Sequence, residues 1–360
     1  MKAALISQRS VSSQWIIDAL RKYFDVVDDL SIREIEVNTT GKLDVLYNGT
    51  PLADYDCVYI KGSYNFRPIM RAIATALYGK VYTPIKPSGF STASDKILTQ
   101  LELQKNKIAM PKTYLASTAD AAKRILEKVN YPIIMKFPSG TQGKGVMVAE
   151  SFASASSMMD ALSALKQPFL IQEYIETGGV DTRAIVVGDK VVAAMHRESK
   201  KGEVRANIHA GGTGKICVLD ESAKKLAVDA AKIVGAEVCA VDILEGLKGP
   251  LVIEINLSPG LQGITKTTKI DVADKIASYL YEKTKEFKNK GVSKVINDVG
   301  LKSEKLKEVI TTLDFRGDRI LLPSPIKNLT KFDDKSEYII QAEKGILTIR
   351  RFSSTPEEQE

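Results

Sequence analysis

Short apolar runs alternate with amphipathic stretches along the first ninety residues of the chain. Residues 2–6, 25–28 and 56–61 are apolar or mixed runs of strand length, whereas apolar residues recur at helical spacing over 15–23 and 66–78. This alternation of strands and helices favours a parallel sheet covered by helices on both faces. The pattern gives the region an α/β architecture.

A polar insertion with turn signals interrupts that alternation. Residues 34–37 and 42–46 are typical of a hairpin, and Asn48 with Gly49 indicates a further turn. No G-x-G-x-x-G motif follows any of these strands, so the region does not predict a dinucleotide site.

Beyond a boundary at Pro84, Pro87 and Gly89 the pattern becomes one of helices and hairpins. The predicted helices are 91–106, 118–128, 153–165, 221–234 and 271–287. The predicted strands are 132–137, 146–149 and 169–174, with hairpins at 181–187/191–195 and 238–244/251–256. From about residue 292 we expect a separate small domain with a helix at 305–311, a hairpin at 338–342/346–350 and a polar tail at 353–360.

Composition limits the class of protein. With 44% apolar and 26% charged residues over 360 positions, the chain is typical of two to three globular domains, and its apolar runs are too short to span a membrane. Three scattered cysteines and the lack of a signal-peptide pattern predict a reduced, cytoplasmic protein. The two histidines argue against a His-centred hydrolase. The net charge of +7 fits nucleic acid, an acidic partner or a lysine-rich surface.

Three polar side chains lie within the second of the predicted hairpins. Glu254 and Asn256 are two residues apart on a strand and therefore share a face. If the hairpin folds about residue 248, Asp242 stands opposite Glu254. Two carboxylates and an amide oxygen form an all-oxygen site suited to Mg²⁺; the alternative is a pair of solvated acids at strand ends. We favour the metal site, because the flanking apolar run should be buried and an unpaired buried charge is costly.

A glycine-rich stretch, SGTQGKG at 139–145, follows the strand at 132–137. Small residues let backbone N–H groups approach a polyphosphate, and Lys136 and Lys144 add positive charge. The spacing is not that of a Walker A loop. A glycine-rich hairpin turn explains the stretch equally well when it is taken alone.

A set of motifs runs in order along the chain: ASDK at 93–96, Lys136, QEY at 172–174, DTR at 181–183, RAN at 205–207, HAGG at 209–212, Asp242, EIN at 254–256 and SPG at 258–260. This order resembles the ATP-grasp superfamily, and within it the RimK-like amino-acid (alpha-L-glutamate) ligases, over about residues 1–285. The stretch GITKTTKIDVA at 263–273 is more similar to glutamate-adding members than to lysine-biosynthesis members.

The resemblance implies an ATP-grasp fold of mixed α/β (α+β) class. The expected layout is a pre-ATP-grasp parallel-sheet domain over 1–90, a central lobe over 91–168, a C-terminal lobe with the metal site over 169–290, and a small β-rich appendage and tail over 291–360.

The resemblance also implies a nucleotide site and a transfer site. The residues that would hold ATP are Lys96, Lys136, Gly140, Gly143, Lys144, Gln172, Glu173, Tyr174, Ile175 and Asp181. Lys96 and Lys136 would bind the α- and β-phosphates. Glu173 and the adjoining backbone would bind the adenine edge, and Asp181 would lie near the ribose. Asp242, Glu254 and Asn256 would hold two Mg²⁺ (or Mn²⁺) ions. Arg197, Arg205 and Asn207 would lie beside the transfer site, where guanidinium groups suit a developing acyl phosphate.

The implied activity is that of an ATP-dependent carboxylate–amine ligase acting through an acyl phosphate. The expected partners are an acceptor carboxylate, on a protein C-terminus or a small coenzyme, and an amino acid, expected to be L-glutamate. The alternatives are another ATP-grasp peptide ligase, similar to glutathione synthetase, and a non-catalytic nucleotide-binding regulator.

The C-terminal segment has a resemblance of its own. The stretches ILLPSPIK at 320–327 and YIIQAEKGILTIR at 338–350 are similar to the swapped-hairpin AbrB pattern, a family that dimerises. A small β-rich appendage of another kind is the alternative, which we slightly favour. We expect a homo-oligomer, with no membrane partner and no dedicated nucleic-acid site, since neither interleaved aromatics nor a binding motif accompanies the lysines at 283–294.

Overall fold

The computed structural model describes residues 1–41, 43–137, 145–164, 168–199, 213–298, 314–316, 319–321, 330, 332–333, 336–343 and 346–351. The chain divides into two compact units, Met1–Val292 and Ser293–Glu360. None of the described helices combines the length and the apolar character that a bilayer crossing requires.

The start of the chain forms the predicted parallel sheet. Its elements are β1 (Lys2–Ser7), α1 (Val11–Leu20), β2 (Val26–Ser31), β3 (Ile35–Asn38), β4 (Asp44–Tyr47), β5 (Thr50–Pro51), β6 (Cys57–Ile60) and α2 (Arg67–Leu77). Strands β2, β1 and β6 lie side by side in that order and are parallel. Strands β3 and β4 form the predicted hairpin, and β5 pairs with β4. The apolar runs are buried where the sheet meets its helices, as at Leu5, Ile6 and Ile73.

The single helix predicted over 91–106 is wrong, because the chain breaks at Asp95. Two helices occur here, α3 (Pro87–Thr92) and α4 (Lys96–Lys105). Asp95 is extended at φ −123°, and its carboxylate accepts hydrogen bonds from the N–H groups of Ile97 and Leu98. This is the bonding of a helix N-cap, so Lys96 becomes the first residue of a helix rather than an interior one.

The middle of the chain forms an antiparallel sheet with its own core. Its elements are β7 (Thr113–Leu115), α5 (Ala119–Leu126), β8 (Ile133–Lys136), β9 (Val146–Ala149), α6 (Phe152–Ala164) and β10 (Leu170–Glu173). The strand order is β7-β10-β8-β9, so residues 170–173 belong to this sheet. Leu126, Met135, Met159 and Ile171 are buried together between the sheet and its helices.

A second antiparallel sheet, in the order β13-β12-β11-β14-β15, follows. The elements of this region are β11 (Val180–Val187), β12 (Lys190–Glu198), β13 (Thr213–Ile216), α7 (Glu221–Val234), β14 (Val238–Gly246), β15 (Gly249–Asn256), α8 (Gln262–Thr268) and α9 (Val272–Asp298). Both predicted hairpins are present, whereas β7, β13 and α8 have no counterpart among the predicted elements. Its apolar residues, such as Val186, Val241 and Ile276, share one continuous core with the first sheet.

The second unit contributes short hairpins. Strand β16 (Asp314–Arg316) pairs with β17 (Arg319–Leu321), and β18 (Tyr338–Glu343) pairs with β19 (Ile346–Arg351). The β18–β19 pair is the hairpin predicted at 338–342/346–350. The helix predicted at 305–311 and the tail at 353–360 lie outside the described residues.

Candidate active site

The hairpin β14–β15 places its two carboxylates opposite each other, as expected. Its turn pairs Gly246 with Gly249, a register that would bring Asp242 opposite Ile253 if it continued unchanged. An irregularity between Asp242 and Ile243 shifts the pairing by one residue, so Asp242 lies opposite Glu254. Directly opposed residues of antiparallel strands share a face. The bulge therefore brings both carboxylates to the same side of the sheet.

Asp242 is buried and bound by two arginines. Arg183, opposite it on β11, donates from Nε and Nη2 to the two carboxylate oxygens at 2.8 and 2.7 Å. Arg197 on β12 places its Nη2 2.9 Å from Asp242 Oδ2. Asn256 Nδ2 lies 3.5 Å from the same oxygen. Burial opposes ionisation of Asp242, but the two guanidinium groups outweigh it and lower the pKa to about 2.

Arg197 also binds a second carboxylate. Its Nε and Nη2 donate to the two oxygens of Asp181 at 2.6 and 2.7 Å, across the β11–β12 pair. Its side chain is only 5% exposed. Burial disfavours the guanidinium charge, yet the carboxylates of Asp242 and Asp181 raise the pKa of Arg197. Arg197, Arg183, Asp181 and Asp242 thus form a charge-balanced buried network.

This network bears on two sequence expectations. Asp181 was expected near a ribose, and the structure gives its carboxylate a bidentate guanidinium partner. Arg197 was expected beside the transfer site, and the structure places its guanidinium between two buried carboxylates. Arg183 received no role from the sequence, because its contact with Asp242 depends on the β11–β14 register, which no local pattern encodes.

Lys136, at the end of β8, is held by Gln172 on the neighbouring strand. Lys136 Nζ donates to Gln172 Oε1 at 2.9 Å, and Gln172 Nε2 donates to Thr113 Oγ1 at 2.6 Å. Burial and, to a lesser extent, the charge of Lys96 lower the pKa of Lys136 to about 8, although the charge of Glu254 acts to raise it. Lys136, Lys96 and Glu254 therefore lie within electrostatic range of one another. Gln172 orients the lysine rather than pointing to solvent.

The segment 173–175 leaves the sheet at this point. Glu173 ends β10; its N–H donates to the carbonyl of Lys112 at 2.8 Å, and its carboxylate accepts from the Lys112 N–H at 3.3 Å. Tyr174 and Ile175 follow without regular secondary structure, and within the described residues their backbone groups make no backbone–backbone hydrogen bond. Backbone donors and acceptors in such a position can bind the edge of a flat heterocycle.

Lys96, Glu254 and Asn256 line one cavity of about 270 Å³ within the first unit. The other walls come from residues 62–67 and from the end of β15. The structure thus brings Lys96, at the start of α4, to the hairpin that carries Asp242.

The oxygen donors at this hairpin fit a hard divalent cation. The carboxylate of Glu254 has no hydrogen-bond partner among the described residues. Asn256 turns its amide nitrogen to Asp242, which leaves its carbonyl oxygen unengaged. Carboxylate and amide oxygens are the ligands that Mg²⁺ prefers. Asp242 would share its carboxylate between a cation and the arginines. Among the described residues, no group of three or more His, Cys, Asp or Glu side chains could hold a metal ion.

Five candidate site residues lie outside the described part of the chain: Gly140, Gly143, Lys144, Arg205 and Asn207. The strands β8 and β9 that flank the glycine-rich stretch are paired, with Lys136 opposite Val146.

The cysteines make no nucleophilic centre. Cys57 and Cys239 are fully buried, and burial raises the pKa of each thiol to about 12. Burial also raises the pKa of Cys217. Thiols of this kind stay protonated and behave as small apolar groups.

Comparison with known proteins identifies the family. The model of the RimK-like ATP-grasp domain matches residues 93–280. A protein of Vibrio cholerae serotype O1 named as a probable alpha-L-glutamate ligase is 38% identical over 269 residues, covering 74% of this chain and 85% of that protein. A protein of the same name from Marinomonas sp. is 37% identical over 291 residues, covering 79% and 96%.

Solved structures share the fold. The ATP-grasp ligase PsnB, complexed with a minimal precursor, Mg and ADP, superimposes with a TM-score of 0.63 at 20% identity, covering 79% of this chain and 98% of that one. A RimK domain protein of Sphaerobacter thermophilus gives a TM-score of 0.61 at 17% identity, covering 78% and 99%. The mixed helix-and-sheet architecture is therefore the ATP-grasp fold. The chain belongs to the RimK-like ATP-grasp family and is a ligase that forms C–N bonds.

Proposed function

We propose that the chain joins the amino group of L-glutamate to an acceptor carboxylate at the expense of ATP, with Mg²⁺ as the metal. The observation that carries this proposal is that Lys96 and Glu254 line one cavity and that the charges of both act on Lys136, in a chain whose relatives are named as probable alpha-L-glutamate ligases. The acceptor would be a protein C-terminus or a small coenzyme with a free carboxylate.

The nucleotide would lie between the two antiparallel sheets. Lys136 and Lys96 would bind the α- and β-phosphates as point charges. Gln172 fixes the position of Lys136, and the backbone groups of Tyr174 and Ile175 would bind the adenine edge. Gly140, Gly143 and Lys144 would cover the phosphates.

Glu254, Asn256 and Asp242 would hold Mg²⁺, two ions by resemblance to the family. Bound Mg²⁺ neutralises charge on the phosphates during phosphoryl transfer. Arg183 and Arg197 hold the carboxylate of Asp242 through their contacts with its oxygens, so we assign both a positioning role.

The reaction would proceed in two steps. An oxygen of the acceptor carboxylate attacks the γ-phosphorus of ATP, the bond to the β-phosphate oxygen breaks, and ADP leaves. The glutamate nitrogen then attacks the acyl carbon, inorganic phosphate leaves, and the nitrogen loses one proton. Arg205 and Asn207 would stabilise the charge on the acyl phosphate and on the tetrahedral oxyanion.

Acceptor-dependent release of ADP tests the proposal. The chain is incubated with ATP, Mg²⁺ and L-glutamate, together with either the protein fraction or the small-molecule filtrate of a cell extract. We expect ADP release to require glutamate and one of the two fractions. ADP release that neither fraction raises would contradict the ligase and favour a nucleotide-binding regulator.

A further inference from the structure

The cavity that holds Lys96 extends to a wall built by the N-terminal sheet region. Residues 62–67 form this wall, and residues 253–258 face it from the end of β15. Its volume of about 270 Å³ is close to the lower end of the ~300–1,000 Å³ range of small-molecule sites. The cavity can therefore admit the end of a small acid.

Arg67, the first residue of α2, is a preorganised cation in this wall. Its guanidinium carbon lies 3.5 Å from the centroid of the Tyr64 ring, and its Nη1 donates to the carbonyl of Ser94 at 3.1 Å. Within the described residues it has no carboxylate partner. A guanidinium has five N–H donors in a planar fork that matches a carboxylate. Most of those donors remain available for a ligand.

The two walls are fixed to each other by direct hydrogen bonds. The Gly62 N–H donates to Ser258 Oγ at 3.0 Å, and buried Lys61 donates from Nζ to the carbonyl of Pro259 at 3.0 Å. A Cβ at Gly62 would come 2.8 Å from Met70 Sδ, so the Met70 side chain would have to move to admit a larger residue. The position of Arg67 relative to β15 is thus set before any ligand binds.

From this arrangement we propose that Arg67 binds a substrate carboxylate other than the one that reacts. The substrate would be a dicarboxylic, glutamyl-type acid, either free L-glutamate or an acceptor that ends in glutamate. The inference rests on the proposed function, because it takes the reacting group of the substrate to lie on the Glu254 side of the cavity. Tyr64 holds the plane of the guanidinium, and Ser94 holds its orientation.

Equilibrium binding to the full chain, loaded with ADP and Mg²⁺, tests the inference without turnover. The probes are L-glutamate against L-glutamine, and N-acetyl-Ala-Glu against N-acetyl-Ala-Gln, each pair differing by one carboxylate. In at least one pair we expect the glutamyl probe to bind about 10- to 100-fold more tightly, as charge-assisted hydrogen bonds allow. The pair that shows the preference identifies the source of the acid.

Variants at Arg67 assign the preference to its side chain. Arg67→Gln should remove the preference, and Arg67→Lys should weaken it because the lysine keeps the charge but loses the planar fork. Arg71→Gln, one turn further along α2 and exposed, is the matched control and should keep the preference. An ADP affinity equal to that of the wild type shows that each variant is folded.

Two results would overturn the inference. One is a wild-type chain that binds the acid and amide probes of both pairs equally. The other is an Arg67→Gln variant with normal ADP affinity and an undiminished preference. The proposed function fails separately: Arg67-dependent binding without transfer of glutamate would refute the ligase assignment, whereas transfer with an unchanged KM in Arg67→Gln would refute only this inference.

Discussion

Lys136 is a positive charge held where burial disfavours charge. Gln172 gives it one hydrogen bond, and burial with the nearby charge of Lys96 lowers its pKa to about 8. A bound phosphate would offset the unfavourable burial of the Lys136 charge, because an anion next to a buried ammonium stabilises its protonated form. The low pKa of the free chain therefore predicts a pH-dependent nucleotide site.

We expect ADP affinity, measured without metal, to weaken as pH rises above about 8. The protonated fraction of Lys136 falls as pH rises through about 8, so the Kd should increase by up to about tenfold per pH unit. Calorimetry in the presence of a chelator, over several pH values, measures this. Lys136→Met should bind ADP weakly with no such rise; an equal rise in the variant would assign the titration to another group.

Glu254 and Asn256 are the residues on which turnover should depend most. We expect Glu254→Ala combined with Asn256→Ala to reduce turnover by at least about a hundredfold, because both candidate metal ligands are lost. Steady-state ADP release measures this, and the unfolding midpoint should change little. Glu245→Gln, exposed on the same hairpin, serves as the control and should keep full activity. Substantial activity in the double variant would remove the metal assignment.

At the scale of elements, the buried network joins strands β11, β12 and β14. Arg197 is the shared partner of Asp181 and Asp242, whereas the ion pair that Arg183 makes in the described part of the chain is with Asp242, and its side chain is 18% exposed. We expect Arg197→Met to lower the free energy of unfolding by about 3–5 kcal/mol, because two carboxylates lose a buried partner. Arg183→Met should cost less, since Asp242 keeps Arg197.

Denaturant unfolding of the two variants in parallel checks this order. A loss in Arg183→Met equal to or larger than that in Arg197→Met would show that the network is not centred on Arg197. Binding of ADP by both variants controls for a collapsed site.

The elements that the sequence predicts are those with strong local signals. The parallel sheet, the β14–β15 hairpin and the helix at 221–234 follow from apolar periodicity and turn residues, and the helix occurs with those bounds. The predicted pairing of Asp242 with Glu254 is correct. It was predicted from a turn centred on residue 248, whereas the hairpin has a tighter turn at Gly246–Gly249 followed by a bulge. The pairing of the two carboxylates therefore depends on the bulge, which shifts the register by one residue.

What the sequence does not predict depends on contacts between distant segments. The break at Asp95 depends on the N-cap hydrogen bonds that its side chain accepts, and these compete with an otherwise continuous helical pattern. The roles of Arg183 and Arg67 depend on the β11–β14 register and on the wall shared with β15, respectively. Residue type marks such side chains as charged, but only tertiary structure gives them partners.

At the scale of the whole molecule, the chain divides at Val292 into a unit that carries the candidate site and a second unit of short hairpins. We expect a chain ending at residue 292 to bind ADP like the full chain. If the second unit carries the homo-oligomer contact that its AbrB-like pattern suggests, this truncation should be monomeric while the full chain is not. Light scattering on both chains measures the difference; an equal number of subunits in both would place any oligomer contact in the first unit.

The transfer of glutamate is the central claim, and mass spectrometry tests it most directly. Cell extract is incubated with the full chain, ATP, Mg²⁺ and isotope-labelled L-glutamate, with the Glu254→Ala, Asn256→Ala double variant as the blank. We expect one protein or small molecule to gain the mass of a labelled glutamyl residue, only with ATP and only with the wild-type chain. An extract in which no species gains the label in an ATP-dependent way would contradict the claim.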